Sequence, residues 1–372
     1  MKKILVILSV LLVFSACSKL EDLNKNVKDF AEVSGESLYN GATRQLINQL
    51  SNQNVNSNVT VMWIQHLAAT TYFDETRYDM TTRGIPLFTS NTLYRLVLMN
   101  YKEAARVLQI QPLAGISQAQ RDNQLAIIEV MTVYAWNYVI ENFGDMPYSE
   151  ALDFNIPTPV YDDGLTIYKD LIDRLSTAMD KLTLTEACMP PGYDNIFGGT
   201  GNEAEMWYKF ANTLKLRMGL MLYDVDANYS KSVVEAVERG FSVGGTAEGH
   251  YNNAVRSSIL YWGGTEAEAD AYMAQPSVAY STSFSDWKQK IGTQAWLAYW
   301  LRGQTLWNSY RRLDYPRLFA PPEFLQEIDK VPVRLFYPVS EQTLNAENYE
   351  AASTKIGGDS PLTRLFFDEI MY

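Results

Sequence analysis

Two short stretches bring together residue types suited to holding a ligand. TYFDETRYDM, residues 71–80, sets Tyr72, Phe73, Asp74, Glu75, Arg77 and Tyr78 side by side, and YWGG, residues 261–264, sets Tyr261 and Trp262 ahead of two glycines. An aromatic ring face stacks on the C–H face of a sugar while nearby acids, arginines and asparagines hydrogen-bond its hydroxyls, so such clusters suit glycan recognition. Tyr72, Asp74, Arg77, Tyr78 and Trp262 are therefore the candidate ligand-binding residues. Each cluster also fits a plainer role, that of a loop latched over the core.

Catalytic chemistry is harder to place. His66 and His250 are the only histidines, and a histidine-dependent triad would need a nucleophile and an orienting carboxylate around one of them. No GxSxG, HExxH, phosphate-loop or dinucleotide fingerprint accompanies either. His66 falls inside a helical pattern and reads as a helix-surface or satisfied core residue. The cysteines show no zinc-type spacing with histidine, so neither a metal nor a cofactor is expected. Glycoside hydrolysis needs only two carboxylates, and 43 acidic residues offer many pairs. A lipid-anchored glycosidase thus stays open as a class, without a pair that can be named. The formal charge of −12 lacks the basic footprint of a nucleic-acid binder.

Cys17 carries a different chemistry. Lys2 and Lys3, the apolar run Ile4 to Phe14, and the small residues Ser15 and Ala16 lay out a secretory signal. The run is too short to span a bilayer, which takes roughly 20 apolar residues. Cleavage ahead of Cys17 would free its thiol for a diacylglyceryl thioether and its amine for another acyl chain. VFSAC is similar to a bacterial lipobox, with Phe14 in place of the usual Leu. Two or three acyl chains hold a protein on a membrane where one does not, since each buried methylene contributes about 0.8 kcal/mol. Residues 1–16 are expected to be the signal peptide, 17–34 a lipidated tether, and 35–372 a helical domain. Cys188 is left without a disulfide partner.

The elements that must position these residues are mostly helices. Leu165, Tyr168, Leu171, Ile172, Leu175, Met179 and Leu182 recur at three and four residues behind Asp162 and Asp163, which can cap the start. The same spacing runs through Leu125, Ile128, Met131, Ala135, Tyr138 and Val139 to a stop at Gly144. It recurs through Trp207, Phe210, Leu214, Met218 and Met221, where Asn202 and Glu205 stand like a capping box. Further helices are expected near 36–50, 58–72, 90–110, 229–239, 247–259 and 284–309. Trp136, Trp207, Trp296 and Trp300 fall on helical apolar faces and read as core. VPVRLFY, residues 331–337, is the best strand signal, interrupted by Pro332. The fold class is mainly α, with helical pairs, irregular loops and little strand.

Several stretches taken in order resemble the SusD/RagB family of Bacteroidetes outer-membrane lipoproteins, in its SusD-like branch. They are ENFGDMPYSEAL (141–152), PVYDDGLTIYKDLIDRLSTAM (159–179), EMWYKFANTLKLRMGL (205–220), RGFSVGGTAEGHYNNAVRSSILYWG (239–263), IGTQAWLAYWLRGQTLWNSYRRLDYPRL (291–318) and VPVRLFYPVSEQTLN (331–345). The resemblance implies a TPR-like helical scaffold that captures oligosaccharides or other nutrients without chemistry and hands them to a SusC-like TonB-dependent transporter. It also implies an outer-membrane location, with the lipid as anchor and the protein facing the cell exterior. SKLED after Cys17 is similar to the surface-export signal of such lipoproteins. In the family a long middle section follows the counterpart of EMWYKFANTLKLRMGLMLYDVD. Here the next matching stretch follows almost directly through ANYSKSVVEAV (227–237), so either a compact variant or a deletion product is expected. A structural or adhesive surface lipoprotein without a small ligand is the remaining alternative. Arg311 and Arg312 are expected in ion pairs around the turn at Pro316.

Overall fold

The structure, a computed structural model, describes residues 33–52, 54, 58–240, 244–323 and 328–369. The expected signal peptide, Cys17 and the tether as far as residue 32 lie outside the described residues. Helices dominate: α1 (Gly35–Ser51), α2 (Thr60–Trp63), α3 (Ile85–Asn91), a π-helical stretch (Thr92–Leu98) leading into α4 (Met99–Ile110), α5 (Gln118–Phe143), α6 (Gly164–Asp180) and α7 (Glu203–Met221). They continue with α8 (Ala227–Gly240), α9 (Ala247–Tyr261), α10 (Glu266–Met273), α11 (Trp287–Ala298), α12 (Gly303–Leu313), α13 (Glu341–Leu344) and α14 (Ala346–Lys355). Among the described residues the strands are β1 (Met146–Pro147) and β2 (Tyr161–Asp162), antiparallel with Met146 opposite Asp162.

Local chemistry sets the helix ends. Asp163 caps α6 by accepting from the Thr166 amide at 2.9 Å, while Asp145 accepts from the Gly164 amide at 2.8 Å. Gly144, at φ 82, ends α5 in a conformation that side chains resist. The apolar stripe of α6 faces inward as its spacing predicts, with Tyr168, Leu171, Ile172 and Leu175 all buried. From α4 to α8 each helix packs on the next, and α1 lies against α4. The expected box at α7 does not form: the Asn202 amide donates to Glu205 at 3.3 Å instead of its side chain capping the backbone.

Tertiary contacts override the sequence pattern in three places. The helix expected over 58–72 shrinks to α2, because the chain turns at Gln65 (φ 61) and the Trp63 indole donates to the Glu75 carbonyl at 3.2 Å. The helix expected over 284–309 divides into α11 and α12 at Leu301 (φ 62). Residues 331–337 form no strand: Val333 donates to the Pro361 carbonyl and Leu335 to that of Asn142, both at 2.8 Å, so the segment is tied to separate partners.

A polar knot lies in the core around Glu141, which is 1% exposed. Its carboxylate accepts from Tyr168 of α6 at 2.9 Å, Arg217 of α7 at 3.2 Å and Asn308 of α12. Arg311 is buried beside it, donating to the Glu141 carbonyl at 2.6 Å and the Val333 carbonyl at 2.9 Å. Its guanidinium lies 3.6 Å from the Trp307 ring centroid. Arg311 thus serves as a core tie through backbone carbonyls rather than in the ion pair around the turn at Pro316 that the sequence suggests.

Candidate ligand-binding site

The 71–80 loop arises where α2 stops and a short 3-10 turn, Glu75–Arg77, ends at Tyr78 in the left-handed region. Its charges are paired within the protein. Arg83 pairs with buried Glu75 and reaches Asp74 at 3.3 Å, and Arg77 meets Glu323 at 2.5 Å. Tyr72 is 77% exposed with Arg83 5.6 Å from its ring centroid, and Arg77 lies 5.0 Å from that of Phe73. Tyr78 is 2% exposed and sits in the apolar core. A ring with no free face cannot stack on a ligand, which corrects its expected place in a binding site. Asp74 and Arg77 act as latches, and Tyr72 presents a ring to solvent.

Trp262 lies elsewhere, on the wall of a groove of about 990 Å³ built from α9, α10, the segment after α10, α11 and the α11–α12 junction. Residues 72–78 are not part of its lining. The walls carry the rings of Tyr261, Trp262, Tyr272, Tyr280, Trp287 and Tyr299, with Ser257, Ser258 and Gln294 as polar groups among them. Trp262 is 52% exposed. Its ring meets that of Tyr261 edge to face, with centroids 5.3 Å apart and planes at 86°, so the two form a corner. The fold reaches this arrangement through the glycines after Trp262. Gly263 takes φ 90, and a Cβ on Gly264 would fall 2.6 Å from Ile259 Cγ2. The chain then enters α10 through a capping box between Thr265 and Glu268.

The opposite wall is held from behind. The His66 ring packs 4.9 Å from Trp296 and 4.7 Å from Trp300. Its Nδ1 accepts from the Leu301 amide at 3.2 Å, so Nε2 carries the proton and donates to the Trp296 carbonyl at 2.8 Å. Burial pushes the imidazole pKa below its ordinary value, and the Trp296 carbonyl pulls the other way. The Trp296 indole donates in turn to the Ile64 carbonyl at 2.8 Å. These contacts fix the break at 299–302 that delivers Tyr299 and Arg302 to the groove. Gly303 completes the joint: a Cβ there would lie 2.5 Å from the Val61 amide nitrogen and 2.6 Å from Thr60 Oγ1.

Trp287, Tyr299 and Arg302 were not among the sequence candidates, because one continuous helix over 284–309 would hide the break that presents Tyr299 and Arg302. Asp286 was the readable signal; it caps α11 by accepting from the Lys288 amide at 2.9 Å. Trp300, expected in the core, is partly open to solvent.

A family model described as SusD-like_2, starch-binding associating with outer membrane, matches residues 27–236 and 233–338. The two stretches meet where the sequence places the shortened middle. No curated protein matches the chain. Among solved structures, a SusD homologue from Parabacteroides distasonis is similar with TM-score 0.76 and 16% identity, covering 90% of this chain and 98% of its own. A chitin-binding SusD homologue from Flavobacterium johnsoniae gives 0.73 and 18%, covering 90% and 99%. A SusD-like protein from Bacteroides thetaiotaomicron gives 0.67 and 16%, covering 88% and 98%. At these identities the likeness speaks for the fold.

Proposed function

The chain belongs to the SusD-like family, described as starch-binding and associating with the outer membrane, and from this premise we propose that it binds oligosaccharide in the aromatic groove and delivers it to a SusC-like TonB-dependent transporter. In this reading it is a lipoprotein held by Cys17 on the outer membrane, facing the cell exterior, and it does no chemistry on its ligand.

The groove's ring-lined walls carry the proposal. The corner of Tyr261 and Trp262 offers two ring faces, and a groove of about 990 Å³ has room for several sugar units. The residues lining it include no aspartate or glutamate, whereas glycoside hydrolysis uses a pair of carboxylates flanking the scissile bond. That composition favours capture over cleavage. No described helix is long and apolar enough to cross a membrane, which is compatible with attachment through a lipid.

The test has two arms. Trp262→Ala in the full-length chain should weaken oligosaccharide binding about tenfold, close to 1.4 kcal/mol, as read by titration calorimetry against malto- and chito-oligosaccharides. Unchanged affinity would remove the groove as the site. Recovery of the tagged chain from solubilised outer membranes of its native host should bring down a large TonB-dependent barrel in near-equal amount. Recovery of the acylated chain alone would point to an independent surface lipoprotein.

A further inference from the structure

The groove's charge departs from that of the chain. The protein has 43 acidic against 31 basic residues, yet no acid lines the groove and Arg302 does. The acids of α10 are engaged elsewhere: Glu268 closes the capping box on Thr265, while Glu266 and Asp270 both pair with Arg256. Arg302 is exposed. It donates from Nη2 to the Tyr261 hydroxyl at 3.3 Å, and its guanidinium lies 5.6 Å from that ring's centroid. No carboxylate among the described residues forms an ion pair with it. A guanidinium presents five N–H donors in one plane, so most of its fork is open to a ligand. Lys288, next to Trp287 in the chain, is not part of the lining; its ammonium lies 5.5 Å from the Trp287 ring centroid and has Asp224 3.6 Å away, so it is partly neutralised.

We propose that the groove takes an acidic oligosaccharide, one bearing a carboxylate or a sulfate, and that Arg302 receives the anionic group while Tyr261 and Trp262 stack the sugar ring that carries it. The proposal rests on reading the groove as a saccharide site. A planar fork matches two oxygens of an oxyanion through paired charge-assisted bonds, and an acid-free lining spares the ligand like-charge repulsion. On a chain of net charge −12, such a local reversal marks where an anion can settle.

The experiment compares charged oligosaccharides with uncharged counterparts on the full-length chain in a non-glycosidic detergent. The pairs are an oligogalacturonate with its methyl ester, and a sulfated carrageenan oligosaccharide with its desulfated form; neutral malto- and chito-oligosaccharides run alongside. At least one charged member should bind about tenfold more tightly than its counterpart, and the preference should shrink as salt rises. The pair that responds tells carboxylate from sulfate. Arg302→Gln should erase the preference, bringing each charged member to the affinity of its uncharged counterpart; Arg302→Lys, which keeps the charge and loses the fork, should restore part of it. Equal binding within both pairs, or equal weakening of charged and uncharged members by Arg302→Gln, overturns the proposal. Neutral binding that depends on Trp262 would then leave the groove standing as a saccharide site. If no oligosaccharide binds, both readings fall.

Discussion

At the scale of single residues, the two aromatic clusters divide into ring faces that meet solvent and rings that hold the fold. Tyr78 belongs to the second kind. Tyr78→Ala should lower stability by about 3–5 kcal/mol, as large core truncations do, while leaving groove affinity unchanged; urea unfolding beside ligand titration separates the two. His66 supplies a pH dependence. Burial holds its folded pKa below the ordinary value, so the unfolded chain takes up a proton first as pH falls. Its contribution is therefore fully present above the unfolded value of about 6.5 and is lost as pH falls towards the folded one. Protonation would also remove the acceptor that holds the Leu301 amide. The melting temperature should drop on acidification below about pH 6.5, and His66→Ala should flatten that part of the profile. An equal slope in the variant would assign the effect to other groups.

At the scale of elements, what was legible in the sequence was what neighbouring residues decide. Asp163 and Gly144 mark the ends of α6 and α5 in the sequence and do so in the structure. The break at 299–302 was hidden because its causes lie far off in the chain: His66 accepts from Leu301, and Gly303 sits against Val61. Half of the candidate site was hidden with it, since Trp262 follows a readable glycine turn while Arg302 depends on that break. The burial of Tyr78 was equally unreadable, because an aromatic in a charged loop has the same composition whichever way it points. Gly303→Ala tests the joint. The added methyl meets the Val61 backbone nitrogen and the stiff, branched side chains of Thr60 and Val61, so a loss of about 1–3 kcal/mol is expected, together with weaker ligand binding as Tyr299 and Arg302 shift. A variant of native stability and affinity would show that the joint has slack.

At the scale of the whole molecule, one carboxylate links the helices that carry the fold. Glu141 ties α5 to α6, α7 and α12. Glu141→Ala would leave Arg217 without its ion-pair partner and Tyr168 and Asn308 without their acceptor, and a loss of about 3–5 kcal/mol is expected for such a broken buried pair; Glu141→Gln, which keeps the shape, should cost less. Chemical denaturation of the two variants checks the order. Cys17→Ser, by removing the proposed acylation site, should move the protein from the membrane to the soluble fraction, as fractionation would show.

The groove is drawn almost wholly from one continuous stretch, residues 247–302, while the knot at Glu141 is assembled from α5, α6, α7 and α12, all outside it. If the groove is the site proposed above, ligand preference is encoded as a cassette. Recombination between related genes could swap that cassette in one crossover pair, and a chimera would keep its scaffold so long as the incoming piece still offered indoles to His66 and led directly into the glycine that faces Val61. The proposed ligand site and the knot that ties the helices are thus written on separate parts of the chain.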